Sequence, residues 1–310
     1  MPDSDQFLWV RVPARSSRWW SLVAFPLFAR RAGASVVHTQ YNLSPLAGRR
    51  GVTTIHDVSF FIGPEWFQHR DLFLLRRFMP ASARRAAKVI TVSETSRREI
   101  EEFIPAARGK TVVTPLAATP GIVPIPRSDA KQRVESELGL AEPFLLTVGT
   151  RWPRKNMALA IEAVAGLPPE VPHVLAVSGK PGWGEELVRG PRVRLTGYVT
   201  QEVLSALYCA ASLYLAPSRH EGFGLPILDA FQCGCPVLCS SGGALPEVAG
   251  DAAHVMASWS PADWTSAIRE ILGDSGKLDA MRLKGLERAR QFDWLETARK
   301  TMMVYNEVGS

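Results

Sequence analysis

The sequence predicts two doubly wound α/β domains with a cleft between them. Short β-branched runs alternate with longer amphipathic stretches, the pattern of strand–helix units around a parallel sheet. A segment with four prolines and one glycine, 115–126, interrupts the alternation once and reads as a linker. The 310 residues are enough for about two domains.

Strands are expected at Phe7–Val12, Val36–Thr39, Val52–His56, Val89–Val92 and Val112–Thr114. Amphipathic helices fall between them, at Asp71–Lys88 and Glu94–Phe103. After the linker a second series of strands runs Phe144–Val148, Val174–Ser178, Val193–Leu195, Leu213–Ala216, Val237–Cys239 and Ala253–Val255. Helices are expected at Asn156–Leu167, Thr200–Ala210 and Pro226–Cys233, and the tail 261–308 reads as three helices broken near Gly273 and Phe292. The expected divisions are an N-terminal domain over 1–126, a second domain over 127–292, and a C-terminal helix over 293–310 that crosses back to the first. No internal repeat or low-complexity segment is visible.

Composition narrows the class. Hydrophobic residues make up 46% and charged residues 21%, which excludes a disordered chain. No apolar run reaches the ~18–20 residues of a spanning helix, and the start lacks a secretory pattern. Four cysteines do not make a disulfide framework, so a reducing, cytoplasmic setting is expected. Cys233-x-Cys235-x3-Cys239, with Cys209, lacks zinc-site spacing and reads as small buried residues. The net charge of +6 is uneven: 17 basic and 9 acidic residues precede Pro126, and 19 and 21 follow. That basic half is either a solvated face or a surface for anionic partners. No zinc-finger spacing or RNA-binding aromatic motif accompanies the arginines, so nucleic acid is not the expected partner.

The chemistry concentrates after Ala216, in Pro217-Ser-Arg-His-Glu-Gly-Phe-Gly-Leu-Pro-Ile-Leu-Asp229. A strand ends, glycines follow, and a helix starts. Gly222 and Gly224 allow backbone N–H groups close to a ligand, and the helix start adds positive partial charge. This is a cradle for phosphate or sugar hydroxyls, flanked by Glu221 and by Asp229, the latter expected in the first helical turn. A dinucleotide fingerprint fails because Ile227 stands where the third glycine belongs, and no Walker lysine triplet is present. A second site, Val148-Gly-Thr-Arg-Trp-Pro-Arg-Lys-Asn156, also joins a strand to a helix start. Arg151, Arg154 and Lys155 there are placed to neutralise a departing diphosphate.

These residues carry a resemblance. Glu221-x7-Asp229 resembles the Glu-x7-Glu motif of retaining glycosyltransferases of family four, which have the GT-B architecture of two Rossmann-like domains. Gly149-Thr-x-x-Pro153-Arg-Lys-Asn156, Ala244-Leu-Pro-Glu-Val-Ala-Gly-Asp251, Ile55-His-Asp-Val-Ser-Phe60 and Val92-Ser-Glu-Thr-Ser96 support it in the family's order. The resemblance implies sugar transfer from a nucleoside diphosphate donor, with no catalytic metal and no other cofactor. It implies Glu221 beside the reacting sugar, the Gly222, Phe223, Gly224 and Leu225 backbone on sugar and phosphate, Lys155 on the diphosphate, and Asp229 on the ribose. His56 matches a histidine facing the acceptor and donor sugar; His220 reads as structural. The sequence departs from the family at Asp229, a shorter acid, and at Thr150, where arginine is common, leaving Arg151 or Arg154 to compensate. The usual opening strand, glycine loop and long helix have no counterpart, so either a truncated start or a reduced N-terminal domain is expected.

Retention with one carboxylate allows a double displacement, or a front-face substitution in which the leaving phosphate takes the acceptor's proton; the resemblance favours the latter. The motif forms resemble mannosyl- and rhamnosyltransferases of surface polysaccharide assembly, which implies GDP-mannose as donor and a glycan or lipid-linked acceptor. Two other readings stay open: a non-catalytic nucleotide-sugar-binding protein of this fold, and a sugar-nucleotide epimerase. Replacing Glu221 by alanine is expected to remove transfer and leave the fold intact. The Arg11–Trp20 segment and the apolar Leu22–Phe28 run ending at Arg30 and Arg31 are expected to meet an anionic membrane surface at its inner face, with Leu22–Phe28 as a core helix the competing reading.

Overall fold

The computed structural model describes residues 8–184 and 190–310. It contains two parallel sheets. The first has four strands in chain order: β1 (Val37–Gln40), β2 (Gly51–Thr54), β3 (Lys88–Thr91) and β4 (Thr111–Val113). The second has six: β5 (Phe144–Val148), β6 (Val174–Ser178), β7 (Val193–Gly197), β8 (Leu213–Ala216), β9 (Val237–Ser240) and β10 (Ala253–Met256). Their spatial order is β10-β9-β8-β5-β6-β7. The chain runs outward from β5 to β7, returns to β8 on the other side of β5, and runs outward again. Such a sheet opens a crevice at the carboxyl ends of the two strands where the order reverses. Here those strands are β5 and β8, paired through Leu145↔Leu213 and Leu146↔Tyr214.

Burial follows strand alternation. Leu145, Leu213 and Leu215 face a cluster with Trp264, Ile268 and Met157; Leu146 and Tyr214 face the opposite cluster with Leu207, Phe231 and Tyr208. Both faces of the sheet are covered, as in doubly wound proteins. The smaller sheet has a core of its own around Ile55, Phe60, Met79, Ile100 and Ile104.

Helix Trp294–Gly309 leaves the second sheet and packs on the first. Val304 sits against Val52 and Ile90, Glu307 pairs with Lys88, and the Tyr305 hydroxyl lies 2.5 Å from His38 Nδ1. On its way it holds the proline-rich segment: Trp294 Nε1 donates to the Ala118 carbonyl at 2.7 Å and Thr297 Oγ1 to the Pro115 carbonyl at 2.5 Å. All four cysteines are buried and unbridged.

Three sequence expectations are corrected. Phe7 lies outside the described residues, and residues 8–12 of the expected first strand are irregular and largely exposed. They have no neighbouring strand, and β1 occupies the sheet edge instead. The Leu22–Phe28 run is not one regular helix: a π-helical turn Trp20–Ala24 precedes helix Phe25–Arg31, of which Pro26 and Ala29 are buried. Helix Leu225–Gln232 starts one residue earlier than expected and has no acid in its first turn, so Asp229 lies in the second turn, beyond the reach of the helix-start charge.

Candidate active site

The loops after β5 and β8 meet at the reversal point, and three side chains join there. Lys155 Nζ donates to Glu221 Oε1 at 2.5 Å, Arg154 Nη1 donates to Glu221 Oε2 at 2.9 Å, and Ser218 Oγ donates to Oε1 at 2.7 Å. Glu221 is 8% exposed. Burial pushes its carboxyl up, but Lys155 and Arg154 outweigh burial and hold it well below the usual carboxylate range. Burial lowers Arg154 in turn, and the Glu221 and Asp57 charges overcome that and raise it. The result is an ion triad at the floor of the crevice.

Local backbone explains how Lys155 reaches it. A single 3₁₀ turn, Pro153–Lys155, follows β5 and ends at Asn156, which adopts φ 51°. Asparagine tolerates this left-handed conformation better than most residues. Its side-chain amide donates to the Pro217 carbonyl at 3.2 Å and the Arg219 N–H donates to the Arg154 carbonyl at 2.8 Å. The two loops are thus tied together by backbone.

The glycine loop is pressed between the domains. A Cβ at Gly222 would stand 2.5 Å from the His56 carbonyl oxygen and 2.8 Å from Asp57 Cβ. The Gly222 carbonyl accepts from Ser93 Oγ at 2.7 Å and Ser96 Oγ at 3.0 Å, at the start of helix Glu94–Phe103. Gly224 has φ 98° and opens helix Leu225–Gln232, with Leu245 too close for a side chain. The Phe223 ring is buried edge-on against Phe292, 5.7 Å between centroids, so only its backbone is left for a ligand. The Glu247 carboxylate crosses to helix Glu94–Phe103, accepting from Glu94 N, Thr95 N and Thr95 Oγ1, each at 2.8 Å.

Of the residues singled out from sequence, Arg154, Lys155, Glu221 and Gly222 are brought together; His56, just after β2, meets Gly222 through its backbone carbonyl and Tyr41 through its ring. Burial holds the His56 imidazole below its ordinary range, and Asp57 acts in the opposite sense. Arg151 reaches the same loop, but its one hydrogen bond among the described residues is from its backbone N–H to the Lys180 carbonyl at 3.2 Å. Asp229 stands apart from the triad. Its Oδ1 accepts from Thr119 N at 2.7 Å and its Oδ2 from Thr119 Oγ1 at 2.9 Å, so the linker takes both oxygens. Burial pushes that carboxyl up while the Thr119 bonds oppose. His220 is buried with Nε2 3.0 Å from Glu99 Oε1 on the facing domain, a structural contact. Sequence reasoning missed Ser218, Tyr41 and Thr119. Ser218, three residues before Glu221, was the one within reach of the motif. Among the described residues no group of three or more His, Cys, Asp and Glu side chains is placed to hold a metal.

Residues 142–274 match the family described as Glycosyl transferases group 1, and residues 5–118 match Glycosyltransferase Family 4. The O-antigen chain mannosyltransferase B of Escherichia coli is 35% identical over 267 residues, covering 83% of this chain and 70% of that protein. The chain belongs to glycosyltransferase family 4. The serotype-specific mannosyltransferase WbdA of Escherichia coli is 29% identical over 231 residues, and this chain spans only 28% of its length. Among solved structures, sucrose-phosphate synthase from Thermosynechococcus elongatus superposes with a TM-score of 0.74 at 22% identity, covering 92% of this chain and 76% of that one. WaaG, a glycosyltransferase involved in lipopolysaccharide biosynthesis, gives 0.72 at 19% identity, with 95% and 85% covered. Those two likenesses show the GT-B fold: two Rossmann-like domains facing each other across a cleft. As a family 4 glycosyltransferase the chain transfers a sugar from a nucleoside diphosphate sugar to an acceptor.

Proposed function

We propose that this glycosyltransferase is a retaining hexosyltransferase that moves mannose from GDP-mannose to a glycan carried at a membrane surface. The observation that carries the reading is the Lys155–Glu221–Arg154 triad at the strand-order reversal. Glu221 supplies the negative charge that neutralises the two cations. A bound diphosphate takes over that task, drawing Lys155 and the loop N–H groups and freeing Glu221 for the donor sugar's hydroxyls. Front-face substitution, the leaving phosphate taking the acceptor's proton, is the mechanism proposed, because Lys155 and Arg154 are placed to stabilise the departing diphosphate. Mannose rests on the likeness to the O-antigen chain mannosyltransferase B of Escherichia coli, and guanine on the resemblance of the sequence motifs to mannosyltransferases. The proposed divisions are 1–126 and 127–292, with 293–310 returning to the first domain. Asp229, held by Thr119, takes the ribose hydroxyls only after the linker gives way, so the ribose contact is proposed to rest on loop backbone as well.

The test is transfer from GDP-, UDP-, ADP- and dTDP-sugars to short mannosides, with the product anomer read by NMR. GDP release with an α-linked product supports the proposal. Transfer from another donor replaces the mannose assignment, and an inverted product removes the retaining one.

Membrane contact is proposed through the N-terminal segment. Trp19, Trp20 and Phe28 are exposed, as are Leu8, Trp9, Arg11, Arg15, Arg30 and Arg31; the side chain of Arg18 lies outside what is described. No described helix is long and apolar enough to cross a membrane. Interfacial tryptophans and arginines favour anionic headgroups, by about 1 kcal/mol per basic residue. The protein is expected to co-sediment with anionic vesicles, less so as salt rises, and not with neutral ones. Equal binding to both, or to neither, contradicts this surface.

A further inference from the structure

The first turn of helix Glu94–Phe103 is held by the second domain. A helix leaves its first N–H groups without partners inside itself. Here the Ser93 hydroxyl accepts from Ser96 N at 3.0 Å, and the two N–H groups between them go to Glu247. Glu94 N donates to Glu247 Oε1, and Thr95 N and Thr95 Oγ1 both donate to Oε2, each at 2.8 Å. The positive partial charge of a helix start favours a carboxylate in that place. Glu247 belongs to the short helix Leu245–Ala249, and both ends of that helix are anchored. Ala244 N, just before it, donates to the Glu221 carbonyl at 2.8 Å. Arg288 Nη2 donates to the Glu247 carbonyl at 2.7 Å and Arg288 Nε to the Val248 carbonyl at 2.9 Å. A continuous path therefore runs from the first domain, through Glu247, to the backbone of the residue whose acid forms the ion triad.

We propose that Glu247 is a positioning residue for transfer: its carboxylate joins the two domains and so seats the Glu221 loop against the first domain. The proposal rests on the transferase reading above and deepens it. Lys155 and Arg154 lie in the same domain as Glu221 and Glu247, so a diphosphate can bind without the joint. Transfer needs the joint, because Gly222 meets the His56 carbonyl only across it, and small misplacements near reacting atoms are costly. Parting the domains gives Glu94 N, Thr95 N and the Glu247 carboxylate back to water, which replaces the lost bonds. The net gain on joining is therefore modest, and one substitution can shift the balance between joined and parted states. Removing the Glu247 side chain spares its own helix, because Arg288 holds that helix by backbone carbonyls.

The test compares the full chain with its Glu247→Gln, Glu247→Ala and Thr95→Val variants. Amide hydrogen exchange at Glu94 and Thr95 reads the joint. Calorimetry with GDP, UDP, ADP and dTDP reads the nucleotide site, and transfer is read as kcat and KM with the donor sugar that the wild type uses. Glutamine keeps the size of the side chain but sets an NH2 donor where one oxygen accepted. Both Glu247 variants should exchange the two amides faster by about tenfold or more, the scale of a lost hydrogen bond to a charged group. Nucleotide affinity and donor KM should be unchanged, while kcat falls by about tenfold or more. Thr95→Val removes one of the three donors; it should lower kcat less, and should add nothing when combined with Glu247→Ala. Unchanged exchange at both amides, unchanged kcat, nucleotide binding weakened in step with kcat, or a full further loss on adding Thr95→Val to Glu247→Ala overturns the proposal. A wild type that binds none of the four nucleotides and transfers from none of their sugars overturns the transferase reading instead, and the exchange of Glu94 and Thr95 still shows whether Glu247 joins the domains.

Discussion

Removing the Glu221 carboxylate does two things at once, because it is both a sugar-facing acid and the counter-charge of Lys155 and Arg154. Alanine there leaves Lys155 and Arg154 at a largely buried site without their shared carboxylate, at a cost of up to about 3–5 kcal/mol. Against the sequence expectation that Glu221→Ala leaves the fold intact, the ion triad predicts a clear loss of stability in denaturant melts. Glu221→Gln keeps the hydrogen-bonding shape and removes the charge. It should fold, and its transfer rate should fall by about 100-fold or more; wild-type turnover in that variant contradicts the role. Acid does not mimic the substitution at ordinary pH. A depressed carboxyl contributes stability that is present above its unfolded pKa and lost only as pH falls through the folded one, which here lies far below the usual range. Glu221 and Lys155 were legible in sequence because each sits in a short strand–glycine–helix pattern whose chemistry is local. The state of Asp229 was not, because its partner Thr119 is 110 residues away in the linker. Tyr41 was equally hidden, since its left-handed backbone follows from tertiary packing and no local residue pattern announces it.

At the scale of elements, the glycine loop works as a gasket between domains. Its Gly222 carbonyl takes two serine hydroxyls from the start of helix Glu94–Phe103, and its α-carbon abuts the backbone after β2. A methyl group at Gly222 meets backbone rather than a flexible side chain, so relief requires the domains to separate. Gly222→Ala should leave each domain folded, by circular dichroism and a single melt, while reducing transfer by about tenfold or more, since small misplacements near reacting atoms are costly. Unchanged transfer would show that the contact is not needed for closure. Element positions were the most legible part of the sequence: β5, β6 and β8 and helix Glu94–Phe103 have the expected ends. Those segments combine a buried β-branched or amphipathic pattern with clear punctuation, such as the Ser93 cap. The expected strand 7–12 had the pattern but no neighbour to pair with, and residues 8–12 stayed irregular.

Across the whole molecule, acid should loosen the fold before the carboxylates titrate. Burial holds His38, His56, His173 and His254 below the ordinary imidazole value. Each binds its proton more weakly in the folded chain, so the unfolded state gains protons first as pH falls through the unfolded pKa of about 6.5. The melting temperature should drop from about pH 7 to about pH 5; a rise over that window contradicts these assignments. The domain plan itself was legible because a parallel sheet needs crossover helices and a proline-rich break stands out. The strand order, and hence the reversal between β5 and β8 that places Lys155 beside Glu221, is a property of topology that no local pattern encodes. That juxtaposition is the centre of the account, and calorimetric titration of GDP and of guanosine into the wild type and Lys155→Ala tests it most directly. Hydrogen bonds to charged groups contribute about 1.5–3 kcal/mol. The account therefore predicts that Lys155→Ala weakens GDP binding by about tenfold or more and leaves guanosine binding unchanged. Equal loss for both ligands, or none for either, would contradict a diphosphate site at the reversal point.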